Sequence, residues 1–308
     1  MISVKVPASS ANLGAGFDCM GVALKLYNII EVEEIEKGLE ITSNPDDPSI
    51  AKDENNLVFK AMKVVFDEVG WYPKGLRINL INEIPLTRGL GSSAACISGG
   101  IYAANLLCGG KLSEEEMIFL AAKMEGHPDN STPAMIGGLV FAVLEENKVN
   151  YIKFVVPNRL KFAVFIPDFQ LSTEYARNIL PKYIEFKDAV FNVGRAALFA
   201  SAITTGNYEL LPAATQDRLH QPYRKNLIPD FDKIVNLSLE FGAKGAFLSG
   251  AGPSIIALID ENYDSFEQNV KIALNSLELK AKWDLMILEA DNCGATVFSV
   301  QSSSSFKR

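Results

Sequence analysis

The chain has 308 residues, of which 48% are hydrophobic and 21% are charged, as in an ordinary globular enzyme and unlike a disordered or fibrous chain. At about 150 residues per domain, this length predicts two domains. Lysine and arginine number 29 against 37 aspartate and glutamate residues, and the net charge of −8 argues against general binding to nucleic acid.

Short strands and helices alternate along the first half of the chain. Ile2, Val4 and Val6 alternate with polar residues, which predicts a half-buried strand that ends at Pro7. Ser113 and Glu116 form a capping box, which predicts the start of a helix. The other elements predicted here are strands at 24–35, 76–80 and 137–144, a helix at 92–107 closed by two glycines, and the capped helix at 114–125.

The second half of the chain shows the same mixture. Its predicted elements are strands at 162–166 and 285–289, helices at 188–203, 229–241 and 265–277, and two strands around a glycine-rich turn at 246–259. The segment 148–159 is polar and contains Pro157, which predicts a junction between domains of residues 1–155 and 156–308. The serine-rich residues 302–305 predict a frayed tail.

Cysteine usage and hydropathy predict the cellular compartment. The four cysteines have no C-x-x-C spacing and there are only two histidines, so a zinc site and a disulfide framework are both poorly supported. The first residues lack the layout of a signal peptide, and the most apolar later segment, 245–259, is too short to span a bilayer. We therefore expect a reduced, cytoplasmic protein with no membrane partner.

The strongest chemical signal lies between a predicted strand and a predicted helix. It is the segment Pro85-Leu86-Thr87-Arg88-Gly89-Leu90-Gly91-Ser92-Ser93-Ala94-Ala95. Glycines let the backbone turn its N–H groups towards one point, and the helix N-terminus adds about half a positive charge, so such a loop binds phosphate without a lysine. It is not a Walker A loop, because no Gly-Lys-Ser/Thr follows. The alternative is a turn of small residues that permits close helix packing.

Two further segments are uninformative alone. Residues 7–18, Pro-Ala-Ser-Ser-Ala-Asn-Leu-Gly-Ala-Gly-Phe-Asp, follow a strand and carry Asn12 and Asp18. Such a loop brings an amide and a carboxylate to a ligand, or it is a turn in which both side chains satisfy their own backbone. Residues 249–254, Ser-Gly-Ala-Gly-Pro-Ser, form a tight glycine turn that presses against another loop or lines a nucleotide site, or else a plain β-turn, which the segment alone favours.

Together, the three segments resemble the GHMP small-molecule kinase superfamily in order and spacing, and the resemblance spans almost the whole chain. Three more segments resemble the branch that acts on L-homoserine: Glu-Gly-His-Pro-Asp-Asn at 125–130, Leu-Ser-Thr-Glu-Tyr-Ala-Arg at 171–177 and Gln-Pro-Tyr-Arg-Lys-Asn-Leu-Ile-Pro at 221–229. The resemblance implies a two-domain α+β fold with a first half like domain 2 of ribosomal protein S5 and a ferredoxin-like second half. It also implies ATP-dependent phosphorylation of the side-chain hydroxyl of L-homoserine to O-phospho-L-homoserine, on the route to threonine.

The resemblance further implies roles for single residues. The loop from Pro85 to Ala95 would wrap the ATP phosphates, Asn56 would meet the adenine, and Thr173 would lie between ATP and the amino acid. Ser92 or Ser93, with Ser93 preferred, would join Glu125 around Mg²⁺. The amino-acid site would consist of Asn12, Asp18, His127, Asn130, Arg177 and Arg224.

The chemistry of these residues suits a zwitterionic substrate. Asp18 offers a carboxylate for an ammonium group, and the two arginines offer forked cations for a carboxylate. The alternative for each arginine is a surface ion pair, and for the histidine a structural role.

Phosphoryl transfer through a loose transition state relies on positioning and charge neutralisation. We expect Asn12 and Asn130 to align the substrate hydroxyl and Glu125 to help hold the metal. Related kinases place a basic aspartate near Asp129, for which only a modest contribution to kcat is expected. Residues 131–132 are Ser-Thr where the family usually has Val-Ala; their shapes keep the turn, and the polarity next to the site is left open.

Two other functions remain open at this point. Another GHMP kinase, for mevalonate or a diphosphocytidyl sterol precursor, would share the ATP loop without the charged residues for a zwitterion. A non-catalytic interaction or RNA-binding module is suggested by the S5-like half, and the net charge of −8 argues against it. The sequence leaves open whether the chain is a monomer or a homodimer.

Overall fold

The structure is a computed structural model that describes residues 1–260 and 263–300, so the predicted tail at 302–305 lies outside the described residues. Its strands are β1 Ile2–Ala11, β2 Met20–Glu34, β3 Gly38–Asn44, β4 Gly75–Asn82, β5 Leu139–Leu144, β6 Val149–Phe154, β7 Leu160–Pro167, β8 Gly245–Leu248, β9 Ile255–Asp260, β10 Trp283–Glu289 and β11 Thr296–Val300. Its α-helices are α1 Leu57–Val69, α2 Ser92–Leu107, α3 Glu114–Glu125, α4 Ser131–Ile136, α5 Thr173–Asn178, α6 Phe186–Thr205, α7 Leu211–Ala214, α8 Gln221–Arg224, α9 Phe231–Glu240 and α10 Tyr263–Ser276.

The strands form two sheets. The larger has seven strands with the path β11-β1-β2-β4-β3, and β5 extends it by pairing with both β2 and β6. Only β3 and β4 pair in parallel among the described strands. The smaller sheet is antiparallel in the order β10-β7-β9-β8. With α9 and α10 it has the β-α-β-β-α-β order of a ferredoxin-like unit, which confirms that prediction.

Strand β1 differs from its prediction in length and in burial. The register of its pairing with β2 shifts between Pro7 and Ala8, and this irregularity lets the strand pass the proline and continue to Ala11. Both faces of β1 are buried, and α2 and α4 pack against it. The longer strand ends directly before Asn12, within the segment 7–18.

The predicted junction at 148–159 contains β6. This edge strand pairs only with β5 among the described strands, and three of its six side chains are exposed. The predicted division after residue 155 falls between β6 of the larger sheet and β7 of the smaller one. However, β11 returns from the end of the described chain to pair with β1. The division into two domains therefore stays a prediction.

The remaining predicted elements agree with the structure to within a few residues, and helix α2 has the predicted bounds. The capping box is present, since Ser113 Oγ accepts from the Glu116 N–H and Glu116 accepts from the Ser113 N–H. Within the described ranges, no helix is long and apolar enough to cross a membrane.

Candidate active site

One large cleft collects the predicted segments. It has a volume of about 680 Å³ and is bordered by the turn after β1, the loop between β4 and α2, the end of α3, helices α5 and α8, and the turn between β8 and β9. Every predicted site residue lines this cleft except Ala95, which lies on the core side of α2 and is fully buried. Ala95 therefore packs the helix and faces no ligand.

The loop from Pro85 to Ala95 is held against the other two glycine-containing segments. A Cβ atom on Gly89 would lie 2.3 Å from the Ser249 carbonyl oxygen, and one on Gly91 would lie 2.0 Å from Ser9 Oγ. Both glycines have positive φ, 71° and 68°, which side chains also disfavour. The Ser249 hydroxyl donates to the Gly89 carbonyl oxygen at 2.5 Å, and its oxygen lies 2.8 Å from Ser10 Oγ. The predicted contact between the 249–254 turn and another loop is confirmed.

Close packing leaves the backbone donors of this loop unpaired. Among the described residues, the N–H groups of residues 89–93 make no hydrogen bond to another group of the chain. Three of them precede α2 and the other two belong to its first turn, where the helix dipole concentrates positive charge. The arrangement therefore offers a set of main-chain donors to an anion, without a lysine.

Two serines at the start of α2 have different surroundings. Ser93 is exposed to the cleft and its hydroxyl donates to Glu125 Oε1 at 2.8 Å. The Ser92 hydroxyl is buried and has no partner among the described residues. Burial raises the pKa of Glu125, and the charge of His127 together with the hydrogen bond from Ser93 offsets only part of that rise. Ser93 and Glu125 thus form a pair of oxygen donors at the edge of the cleft.

The end of the cleft away from the glycine loop carries both a positive and a negative side chain. Arg177 on α5 donates two hydrogen bonds to the carboxylate of Asp18, at 2.8 and 2.9 Å, so the two predicted substrate ligands pair with each other. This pair is partly exposed, with 41% of the arginine side chain and 32% of the aspartate side chain accessible to solvent. For Arg177 the structure therefore contains an ion pair, but one that lines the cleft.

Arg224 on α8 contradicts the alternative of a surface ion pair. It is only 1% exposed, and it donates from Nε to the Ala176 carbonyl oxygen at 3.0 Å and from NH1 to that of Gly250 at 3.1 Å. Among the described residues, no carboxylate lies within 4.0 Å of its guanidinium. Burial and the charge of Arg177 lower its pKa to about 10. A buried cation with no counter-ion among the described residues is suited to pair with an anion.

Phe17 and His220 organise the two arginines, and sequence reasoning assigned a role to neither. The Phe17 ring lies 5.3 Å from the guanidinium carbon of Arg224 and 5.5 Å from that of Arg177. His220 Nε2 lies 2.8 Å from the Gly14 carbonyl oxygen, and Nδ1 lies 3.4 Å from Arg224 NH1. Burial lowers the pKa of His220, which suits a neutral ring that links the two groups. Their positions in the sequence could have indicated this role, because Phe17 lies inside the 7–18 motif and His220 directly precedes the 221–229 motif.

His127 and Asp129 pair within the segment that follows α3. The distance from His127 Nδ1 to Asp129 Oδ1 is 2.5 Å, and the aspartate side chain is almost fully buried. Burial disfavours the charged imidazole, but the hydrogen bond and charge of Asp129 outweigh this effect and raise the pKa of His127. Both residues line the cleft, so the histidine has a structural partner and a place at the site.

The asparagines hold the backbone of the cleft. Asn12 accepts from the Asp18 N–H of its own segment at 3.0 Å and donates to the Gly250 carbonyl oxygen of the 249–254 turn at 2.9 Å. Asn130 Oδ1 accepts from Ser9 Oγ at 3.0 Å. Asn56 is the N-cap of α1 and also donates to the Ala51 carbonyl oxygen. These side chains shape the wall of the cleft.

Thr173 lies at the cleft, whereas Ser131 and Thr132 lie in the protein interior. Thr173 is the first residue of α5, is exposed, and lines the cleft. Ser131 and Thr132 are fully buried, do not line the cleft, and have hydroxyls without a partner among the described residues. The exchange of Val-Ala for Ser-Thr therefore does not change the polarity of the cleft lining, because these side chains are buried away from it.

Comparison with known proteins agrees with this geometry. The family model described as GHMP kinases N terminal domain matches residues 56–138, and the model described as GHMP kinases C terminal matches residues 196–273. A homoserine kinase of Caldicellulosiruptor saccharolyticus is 98% identical over 308 residues and covers 100% of both chains.

Solved structures extend the comparison to the fold. A homoserine kinase from Cytophaga hutchinsonii superimposes with a TM-score of 0.84 at 30% identity, covering 96% of this chain and 97% of the other. A mevalonate kinase from Methanococcus jannaschii, with a TM-score of 0.70 at 20% identity over 94% and 98% of the two chains, shares the fold. The chain therefore belongs to the GHMP kinase family, among its homoserine kinases.

Proposed function

We propose that this chain transfers the terminal phosphoryl group of ATP to the side-chain hydroxyl of L-homoserine. The observation that carries the proposal is the pairing of two binding features in one cleft. Within residues 1–260 and 263–300, the backbone N–H groups of residues 89–93 have no partner and suit the phosphates of ATP. In the same ranges the buried guanidinium of Arg224 has no counter-ion and suits the carboxylate of a free amino acid.

The phosphate side of the cleft works by electrostatics. The loop N–H groups and the N-terminus of α2 place partial positive charge where the transferred phosphoryl group becomes more negative. Because they are fixed by the contacts of Gly89 and Gly91 with neighbouring segments, they need little reorganisation during the reaction.

Ser93 and Glu125 are suited to hold Mg²⁺ at this end. Both are oxygen donors, their oxygens lie 2.8 Å apart, and one carries negative charge, which is the donor chemistry that Mg²⁺ prefers. When bound, the ion would neutralise charge on the terminal phosphates. The exposed Ser93 hydroxyl, rather than the buried hydroxyl of Ser92, is the one available for this role.

The amino-acid side binds both ends of a zwitterion. The substrate carboxylate would pair with Arg224 and share Arg177, while the Asp18 carboxylate would accept from the substrate ammonium group. Binding would therefore replace part of the existing ion pair between Arg177 and Asp18. Phe17 keeps the two guanidinium groups at one ring and so fixes the distance between them.

The substrate hydroxyl is the nucleophile. We place it near Asn130, whose side chain is oriented by Ser9. Asp129 is already paired with His127 inside the protein, and a loose transition state gains little from early deprotonation of the alcohol. We therefore give Asp129 the role of holding His127 in place and do not assign it as a required base.

A substrate panel tests the proposed function. Purified protein, ATP and Mg²⁺ are mixed with L-homoserine, L-serine, L-threonine or mevalonate, ADP release is followed in a coupled assay, and the product is identified by phosphorus NMR. We expect turnover with L-homoserine and a phosphate ester on its side-chain oxygen. Turnover of mevalonate with none of L-homoserine would overturn the proposal in favour of a different GHMP kinase.

A further inference from the structure

Arg224 uses part of its guanidinium to fix itself in the wall of the cleft. Nε donates to the Ala176 carbonyl oxygen, and NH1 donates to the Gly250 carbonyl oxygen and to Nδ1 of His220. A guanidinium has five N–H donors, so two remain, and both belong to NH2. The NH2 group has no partner in the described part of the chain, yet it is not closed off from solvent as a buried orphan atom would be. It therefore faces the cleft that Arg224 lines.

The contact between Arg224 and His220 requires a neutral ring with its proton at a defined place. Because an arginine nitrogen can only donate, Nδ1 of His220 is the acceptor, at 3.4 Å. The ring proton is then on Nε2, which lies 2.8 Å from the Gly14 carbonyl oxygen and donates to it. One tautomer thus satisfies both neighbours, and the ring ties Arg224 to the 7–18 segment.

Asp217 fixes the backbone around His220. Its side chain is fully buried and does not line the cleft. Oδ2 accepts from the backbone N–H groups of His220 at 2.9 Å and Gln221 at 2.6 Å, and Oδ1 accepts from that of Leu219 at 2.9 Å. His220 and Gln221 begin α8, and Arg224 is the last residue of that helix. The carboxylate therefore sets the place from which Arg224 is presented.

The buried side chain of Asn192 on α6 holds Asp217 in turn. Its Nδ2 donates to Asp217 Oδ1 at 2.7 Å and to the Ala15 carbonyl oxygen at 3.3 Å, and its Oδ1 accepts from the Arg218 N–H at 2.9 Å. Each oxygen of the Asp217 carboxyl group therefore accepts from two N–H groups, none of which can accept a proton, so the hydrogen bonds fit a carboxylate. Its charge also opposes the fall in the pKa of Arg224 that burial causes.

We propose that His220 and Asp217 are positioning residues for the amino-acid site. They hold Arg224 so that NH2 alone is free, and the substrate carboxylate binds end-on to NH2 rather than across two nitrogens. Because Nε and NH1 are already paired, the guanidinium cannot turn to follow the ligand, and it binds a carboxylate at one place only. This inference rests on the proposed function, which assigns the substrate carboxylate to Arg224.

Two substitutions of His220 separate its two hydrogen bonds. In His220→Asn the amide oxygen replaces Nδ1 and keeps an acceptor for Arg224, whereas in His220→Gln the amide nitrogen replaces Nε2 and keeps a donor for Gly14. Each variant loses one buried hydrogen bond, so both should melt at a lower temperature. In steady-state assays, the KM for L-homoserine should stay within about threefold of the unmodified protein in His220→Asn and rise about tenfold or more in His220→Gln, with the KM for ATP unchanged. Equal KM values for L-homoserine in the two variants would overturn the role of His220.

A second set of variants tests whether the effect passes through Arg224. Asp217→Asn should lower kcat/KM for L-homoserine by about tenfold, whereas Asp284→Asn, at a 71% exposed side chain on β10, is the control and should leave it unchanged. In an Arg224→Met background, Asp217→Asn and His220→Gln should lower kcat/KM further by less than about twofold, because the residue they act through is gone. Losses as large as those in the unmodified chain would indicate a general structural role and overturn the proposal.

The unmodified protein separates this inference from the proposed function. Without turnover of L-homoserine by the unmodified protein, the proposed function fails and the inference fails with it. With turnover, a crystal soaked with L-homoserine should show the carboxylate on NH2 of Arg224, while Nε and NH1 keep their bonds. A carboxylate on Nε or NH1 would overturn the inference alone.

Discussion

Replacing Arg224 with methionine should remove most of the affinity for L-homoserine and leave the ATP site intact. Methionine has a similar length and no charge, so Arg224→Met deletes the guanidinium without opening a large cavity. The variant loses the hydrogen bonds to Ala176 and Gly250, but it also no longer buries an unpaired cation. We therefore expect its melting temperature to change much less than its substrate affinity.

The structure sets the size of the effect. Burial and the charge of Arg177 lower the pKa of Arg224 to about 10, so its positive charge is disfavoured relative to that of an exposed guanidinium. A substrate carboxylate relieves that penalty, and truncation of one partner in such a buried pair costs about 2–5 kcal/mol. The dissociation constant of L-homoserine should therefore rise by about 30-fold to about 4,000-fold.

Calorimetric titration of L-homoserine in the presence of a non-hydrolysable ATP analogue measures this change. Arg77→Met is the matched control, because Arg77 pairs with Glu33 and Glu40 on the exposed surface, outside the cleft. Its affinity for both ligands should equal that of the unmodified protein. If Arg224→Met binds L-homoserine within about threefold of the unmodified protein, the guanidinium is not the carboxylate site.

Three further predictions concern the rest of the cleft. Glu125→Ala should lower kcat by about 100-fold or more because it removes a charged metal ligand, whereas Asp129→Asn should lower it by less than about tenfold in the same steady-state assay. Gly89→Ala should weaken ATP binding in calorimetry by about tenfold or more, since a left-handed alanine is strained and its Cβ would lie 2.3 Å from the Ser249 carbonyl oxygen. Burial and the charges of two aspartates raise the pKa of Cys19 to about 11. At pH 8 this thiol should therefore react with iodoacetamide about 100-fold more slowly than an ordinary thiol. Mass spectrometry of the labelled peptides should show the reaction rate rising with pH up to about 11.

Each of these predictions has a contradicting outcome. Similar losses of kcat in Glu125→Ala and Asp129→Asn, with both variants folded, would assign the aspartate a catalytic role equal to that of the metal ligand. Gly109→Ala controls the loop variant, because Gly109 also has positive φ but open space around it; equal effects on ATP binding would remove the argument from packing. A labelling rate of Cys19 that is already constant above pH 9 would contradict its raised pKa.

The sequence predicted the elements whose local pattern agrees with their surroundings. Helix α2 was predicted with its observed bounds because the glycine loop and the closing glycines mark both ends. Strand β6 was missed because it lies in the segment interpreted as a domain junction and, as an edge strand, has three of its six side chains exposed. Helix α1 was missed although Asn56, an N-cap followed by apolar residues at helical spacing, was a usable signal.

The sequence predicted which residues belong to the site but not how they are arranged. Motifs identified Asp18, Arg177 and Arg224 as members, yet only the fold shows that the first two pair across 159 positions of sequence separation. The complete burial of Arg224 and the placement of Phe17 beneath both guanidinium groups also follow from tertiary packing, which no local pattern encodes. Local motifs encode the residue types at the site, whereas the burial of Arg224 and the pairing of Asp18 with Arg177 depend on the folded cleft.

A crystal structure with L-homoserine and a non-hydrolysable ATP analogue tests the central claim most directly. The account predicts the terminal phosphates within hydrogen-bonding distance of the N–H groups of residues 89–93, and the amino-acid carboxylate on the guanidinium of Arg224. Phosphates bound away from these N–H groups, or a carboxylate that leaves Arg224 unpaired, would contradict it.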